Sequence, residues 1–309
     1  MSPSNRPQGG AMKAIKVESV AAVLALHWFV ARDEGLFAAE GLDVEIVTPP
    51  PPPPFAPGDP RLVDPRLVDS FNYQNYFEQN ACDVFRGCEW GQIRRADDSK
   101  RGGPIAFKRP AVVCQGIYVR PESSVNAPIQ LAAKTVGVQF HQGSHYATIA
   151  MLHGFLSKDE IKPVHVGPTE QRYEKLERGE VDAATLMEPW VTLAEKNGFK
   201  KIIETHYLGV ENISQDLDRA TLDKLTRAIR KAVVLINANK KKHVHHLLDE
   251  IPEKYREQLS PDDFYLPRLR YVDPAPYTEA EFERARRFMV EWDLIAPDAT
   301  YEKLVANVI

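Results

Sequence analysis

The chain has 309 residues, 43% of them hydrophobic and 27% charged, with a formal net charge of -4 at pH 7. That is enough apolar material to bury two lobes, and the acidic balance excludes a broadly basic surface for nucleic acid. No apolar run approaches the roughly 18 residues of a membrane span, so no membrane span is expected. No signal-length apolar stretch follows Arg6, so the expected location is cytoplasmic as written, and periplasmic if a leader has been removed. Cys82, Cys88 and Cys114 are an odd set without metal-ligand spacing, which fits reduced thiols better than a disulfide framework.

In chain order, residues 1–11 read as a disordered tail, and Met12 to Ser19 (MKAIKVES) alternates as a strand does. Leu24 to Leu42 is apolar at helical spacing, broken by Gly35 and Gly41, and Asp43 to Val47 (DVEIV) is a second strand. Strand, helix and strand in this span predict a parallel α/β unit. The run Pro49 to Pro54, continued by Pro57 and Pro60, excludes helix and central strand. With the tandem repeat RLVDPRLVD (Arg61 to Asp69), it predicts an exposed insertion over 48–81.

From Ala111 the alternation resumes. Strands are expected at 111–119, 135–140, 163–166, 181–186 and 200–204, with helices between them at 127–133, 144–155, 171–177 and 189–197. After Ser214 the pattern is helical, at 217–239, 241–249 and 278–292, with no further strands expected. The predicted organisation is therefore lobe 1 from 12–116 and 206–309, lobe 2 from 117–205, and a helical tail packed back on lobe 1.

Four stretches carry a resemblance: Ala31 to Val47 (ARDEGLFAAEGLDVEIV), Lys134 to Tyr146 (KTVGVQFHQGSHY), Leu176 to Trp190 (LERGEVDAATLMEPW) and Phe288 to Pro297 (FMVEWDLIAP). In this order and spacing the chain resembles the SsuA/THI5-like branch of type II periplasmic binding proteins, which includes sulfonate, taurine, nitrate and pyrimidine-precursor binders. The resemblance implies an α/β, periplasmic-binding-protein-like type II fold: two α/β lobes, an inter-lobe cleft and a helical C-terminal tail. It departs at the 48–81 insertion. The family's thiamine-pyrimidine synthases carry a cofactor-binding lysine and a histidine where this chain has Gly87 and Gly91, and no cysteine cluster is present, so that activity and any cofactor are not expected.

In open α/β sheets, ligands sit beyond the carboxyl ends of strands, at helix N-termini. Four loops qualify. Leu26-His27-Trp28 offers a ring to stack on a ligand and a nitrogen to bond it, although such residues also fill cores. Arg86 to Gln92 crowds Arg86, Cys88, Glu89, Trp90 and Gln92 into a glycine-flanked turn. Arg86 and a helix N-terminus would favour a thiolate at Cys88, while the alternative is a small buried hydrophobe.

His141 to Tyr146 opens a helix, with Ser144 expected as its N-cap. The first-turn amides there attract anions, and the resemblance implies the same use, so His141, Gly143, Ser144 and His145 are expected to touch the ligand. Glu188 is placed to accept a bond from the ligand and Trp190 to close over it, against the alternative of an ordinary acidic helix start.

Two further features are not expected to be sites. His243 and His246 in KKKHVHH have no matching acid or cysteine, so no metal is expected there. Asn72 to Tyr76 (NYQNY) is either a lid or padding of the insertion.

The leading expectation is capture of one small polar or anionic organic molecule, such as a sulfonate or carboxylate, with an ABC transporter as partner if a leader was present. The alternative is a cytoplasmic hydrolase or lyase with Cys88 as nucleophile, Arg86 assisting, and His27 or His145 as base. Biphenyl-sulfinate desulfinases of similar fold use a cleft cysteine assisted by arginine, but theirs lies near the first strand, where this chain has His27. A third reading, a sensor signalling by lobe closure, has no extra domain behind it.

Overall fold

The computed structural model describes residues 12–19, 21–50, 53–71 and 75–309. The expected tail at 1–11 and positions 72–74 of the expected lid lie outside the described residues.

Strand β1 (Lys13–Glu18) turns Ile15 and Val17 into the core, as its alternation predicts. The helix Ala22–Asp33 follows, and Gly35 (φ 67°) and Gly41 (φ 74°) adopt left-handed backbone that residues with a Cβ avoid. They break the helical run before β2 (Leu42–Val47), which lies parallel to β1 with Lys13 opposite Leu42.

The first sheet is completed by β3 (Val84–Cys88), β4 (Ile105–Lys108) and a strand from far along the chain, β10 (Gly209–Ile213), in the order β2-β1-β3-β10-β4. The second contains β5 (Ala111–Val119), β6 (Thr135–Val138), β7 (Lys162–His165), β8 (Ala183–Leu186), β9 (Lys200–Tyr207) and β11 (Arg270–Tyr271). Its order is β11-β5-β8-β6-β7, with β9 also paired to β5. The chain thus forms two α/β lobes with a cleft between them.

Several features differ from the sequence reading: β4 was not expected, and the expected lobe boundary at 116/117 and 205/206 cuts β5 and β9, which lie whole in the second sheet. Strands do not end at Ser214, because Arg270–Tyr271 pairs with Val112 and Ala111 of β5. β10 also went unread: it is a fully buried strand whose GVENI carries Glu211 and Asn212 inside. Those two polar residues break the apolar pattern that announces a strand. Finally, the tail is not confined to the first lobe. Ile251 and Tyr255 join the second lobe's core beside Tyr173 and Trp190, and Arg268 bonds Glu188 and Glu195 there.

Between the sheets the chain crosses at Arg109-Pro110 and at Leu208. Arg109 ties the crossings together. Its backbone N–H donates to the Gly209 carbonyl (2.8 Å), and its guanidinium donates to the Ala111 and Gly87 carbonyls (3.0 and 3.1 Å).

The insertion's tandem repeat produces the same short turn twice. Asp59 and Asp64 accept backbone N–H bonds from Arg61 and Arg66 (2.9 and 3.0 Å), capping turns Pro60–Leu62 and Pro65–Leu67. The segment then reaches across to the second lobe. His141 Nε2 donates to the Pro65 carbonyl at 2.7 Å, and Phe55 packs on His165 with ring centroids 5.0 Å apart.

Candidate functional site

A cleft of about 280 Å³ opens between the lobes, beyond the carboxyl ends of β3, β6 and β8. This is where open α/β sheets place ligands. Of the residues expected from sequence, it is lined by Arg86, Cys88, Gly143, Ser144, Glu188 and Trp190.

Arg86 is fully buried on β3. Its Nε lies 3.5 Å from Glu211 Oε2, its guanidinium stands 5.3 Å from the Trp28 ring, and none of its three nitrogens has a hydrogen-bond partner among the described residues. Burial pushes it down to about 10, so it stays charged at neutral pH.

His27 and Trp28 do not line the cleft. They lie deeper along the first helix and both bond Glu211 Oε1, at 3.2 Å from His27 Nε2 and 3.3 Å from Trp28 Nε1. A carboxylate only accepts, so His27 carries its proton on Nε2, and burial holds the ring down to about 4 and therefore neutral. Their task is to hold Glu211 beside Arg86.

The Arg86 to Gln92 turn divides. Cys88 caps the helix Glu89–Asp98, its sulfur accepting the Gly91 N–H at 3.2 Å, and burial pushes the thiol up to about 12. The expected thiolate is thus absent at neutral pH: desolvation outweighs the helix terminus, and the arginine acting on the thiol is Arg109, not Arg86. Glu89 turns away to accept the Tyr277 hydroxyl (2.9 Å), and burial raises it to about 7. Trp90 packs behind the cleft on Tyr207, with centroids 5.4 Å apart. The Gln92 side chain folds back over Gly87, where a Cβ would lie 3.1 Å from Gln92 Cδ.

On the facing lobe, Ser144 is not the N-cap. The helix Gly143–Leu152 begins one residue earlier, with Gln142 as cap, and Ser144 Oγ instead accepts the Gln139 N–H at 2.9 Å. Gly143 is required there, because a Cβ would come 2.9 Å from Tyr207 Cζ. His141, in left-handed backbone (φ 59°), bonds the insertion, and His145 is buried behind the loop with Nδ1 accepting the His141 N–H at 3.4 Å. Neither histidine lines the cleft. The lobes meet closely beside it, since a Cβ on Gly91 would be 2.8 Å from the His141 carbonyl oxygen.

Glu188 lines the cleft but its bonds are already made. It accepts from Arg268 Nη1 (2.6 Å), Thr192 Oγ1 (2.7 Å) and Thr192 N (3.2 Å). Trp190 joins the second lobe's core while bordering the cleft.

Sequence reasoning missed Gln115, Gln139, Arg172, Tyr207 and Glu250, all of which line the cleft. Arg172 is buried, bonded to Thr185 O and to Thr169 Oγ1 (2.7 Å). Its only sequence signal was a cation in a short helix, which usually faces water. Glu250 lies 228 residues from Ala22, whose N–H it accepts at the start of the first helix, and confinement in the cleft pushes its carboxyl up to about 8. Arg86 and Arg172 thus share the cleft with three carboxylates: Glu188, paired with Arg268, Glu250, largely protonated at neutral pH, and Glu170.

No family model and no curated protein sequence matches the chain. Solved structures do. The alkanesulfonate-binding protein SsuA from Xanthomonas axonopodis pv. citri bound to MOPS superposes with TM-score 0.70 at 14% identity, covering 96% of this chain and 99% of that one. The chain has the periplasmic-binding-protein fold. A Candida albicans gene product described as having the generic periplasmic binding protein fold gives TM-score 0.69 at 13% identity, over 95% of each chain. The periplasmic aliphatic sulphonate binding protein SsuA from Escherichia coli gives 0.68 at 13% identity, over 96% of this chain and 92% of that one. The fold accounts for a cleft at the strand ends, but at these identities it does not name what the cleft holds. Among the described residues no helix is long and apolar enough to cross a membrane.

Proposed function

We propose that this chain binds one small organic anion in its inter-lobe cleft. The observation that carries the proposal is Arg86: a buried, charged guanidinium lining the cleft, with no hydrogen-bond partner among the described residues. A buried guanidinium whose N–H groups make no hydrogen bonds is costly even beside Glu211, and a sulfonate or carboxylate bonded to it removes that cost with charge-assisted hydrogen bonds. Arg172, Ser144 and the first turn of the helix at Gly143 border the same space, adding a second cation and a helix N-terminus. SsuA neighbours of this fold are named as sulfonate binders, which makes alkanesulfonates the first compounds to try.

Lobe opening about the Arg109-Pro110 and Leu208 crossings admits the ligand, and the insertion's contacts with His141 and His165 hold the lobes together once it is bound. Delivery to an ABC transporter is one use of such a protein, and some neighbours are named as components of such systems. The three free, buried thiols favour a reducing compartment instead, and cell fractionation distinguishes the two.

The test is native mass spectrometry of protein purified from its own host, followed by thermal-shift screening of alkanesulfonates and carboxylates. A retained anion, or stabilisation by one class that Arg86→Gln abolishes, is expected. A retained cation, or anion binding indifferent to Arg86→Gln, overturns the proposal.

A further inference from the structure

The segment KKKHVHH has three histidines, and the acids next in sequence are committed elsewhere, Asp249 to Arg256 and Glu250 to the Ala22 N–H. In the folded chain His243 is buried, and the acid arrives from elsewhere: Asp33, at the end of the first helix, meets His245 and His246 of the helix His245–Leu248. One ligand atom from each of the three lies within 4.8 Å of the others. We infer that Asp33, His245 and His246 bind a first-row transition-metal dication of the Zn2+ class.

The second layer of contacts is already arranged for it. His245 Nδ1 lies 2.9 Å from the Lys242 carbonyl, which only accepts, so Nδ1 carries the proton and Nε2 presents the lone pair a metal takes. His246 Nε2 lies 3.3 Å from Asp33 Oδ2. Two ligands each about 2.0–2.1 Å from zinc at a tetrahedral angle are separated by roughly 3.3 Å. The other Asp33 oxygen is held by Arg32 Nε at 2.6 Å, and the His246 ring stacks on Phe29 with centroids 5.2 Å apart.

Of the neighbouring cations, only Arg32 touches a proposed ligand, and it does so through Asp33 Oδ1, leaving Oδ2 toward His246. Lys242 is bonded away from the site, to Glu34 at 2.5 Å. Two imidazoles with one carboxylate select zinc, nickel or copper over magnesium and calcium, with water completing the shell. The site has a structural consequence as well. The 245–250 segment would grip the first helix at both ends, through the metal at Asp33 and through Glu250 at Ala22.

The inference is independent of what the cleft binds. Its test is calorimetric titration of untagged, chelator-treated full chain with Zn2+. One site with micromolar affinity is expected, with no heat from Mg2+. Asp33→Asn and His245→Ala, at exposed positions whose folding circular dichroism checks, should each weaken binding by roughly tenfold or more. His153→Ala, outside the cluster, should leave it unchanged. Equal Zn2+ affinity in the parent and in the Asp33→Asn/His245→Ala double variant overturns the site, as does the absence of binding at micromolar metal.

Discussion

Two charged corners face the same cleft and are built in opposite ways. At the Glu188 corner, the carboxylate accepts three hydrogen bonds from Arg268 and Thr192, and Arg268 continues to Glu195 at 2.8 Å. At the Arg86 corner, the guanidinium has an ion-pair neighbour at 3.5 Å and no hydrogen bond among the described residues. A buried charge with its bonds made is structural, since a ligand has nothing to add; one without them is poised to take a ligand. Lining the cleft is therefore a poor guide to function unless the state of each group's bonds is read as well.

The sharpest way to break this contrast is Arg268→Met, which strands the Glu188 carboxylate. A loss of about 3–5 kcal/mol in urea denaturation at neutral pH is expected, mostly recovered in the Glu188→Gln/Arg268→Met double variant. An unchanged midpoint in the single variant would show that the corner carries no stability.

Next in size is Arg86→Gln. Affinity for the anionic ligand should fall roughly 30- to 100-fold, about 2–3 kcal/mol by calorimetry. Its loss of stability should be smaller than that of Arg268→Met, because Glu211 keeps its bonds from His27 and Trp28. The reverse pattern, large instability with intact binding, would exchange the roles of the two corners.

A smaller effect concerns pH. The Glu250 carboxyl, ordinarily near 4.5, is raised to about 8 in the folded chain, so between those values the folded state holds a proton that the unfolded state has released. Stability therefore falls as pH rises through that window. Anion affinity should likewise weaken as Glu250 ionises near pH 8, because a negative charge then enters the cleft. Titrations at about pH 6.5 and about pH 9 measure the drop, and Glu250→Gln should flatten it. A drop that persists in that variant places the titrating group elsewhere.

The smallest expected effect is that of Cys88→Ser. The thiol is neutral and serves as a helix cap, a role a hydroxyl fills, so ligand affinity should stay within about twofold of the parent. A large loss would restore the thiol to the chemistry.

Legibility from sequence followed the range of the interactions. The β1–helix–β2 unit and the second lobe's strands rest on local periodicity and glycine and were readable, whereas the 48–81 segment was readable as an exposed insertion but not as two capped turns. Of the candidate site, Arg86, Gly143, Ser144 and Glu188 were readable as types of residue at strand ends, because the fold places ligands there. Their roles were not. Whether Glu188 is occupied depends on Arg268, 80 residues away, and whether Cys88 ionises depends on desolvation that no neighbouring residue reveals.

The sequence by itself thus determined the alternating strands and helices of a two-lobed α/β chain, because periodicity and backbone chemistry act over a few residues, and its resemblance to binding proteins of that fold implied the cleft. Only the tertiary structure decided which groups face that cleft with their bonds unmade. Glu250 reaches Ala22 across 228 residues, and β10 delivers Glu211 to His27 across 184. Burial, pairing and pKa are properties of such long-range neighbours, and a linear pattern does not contain them.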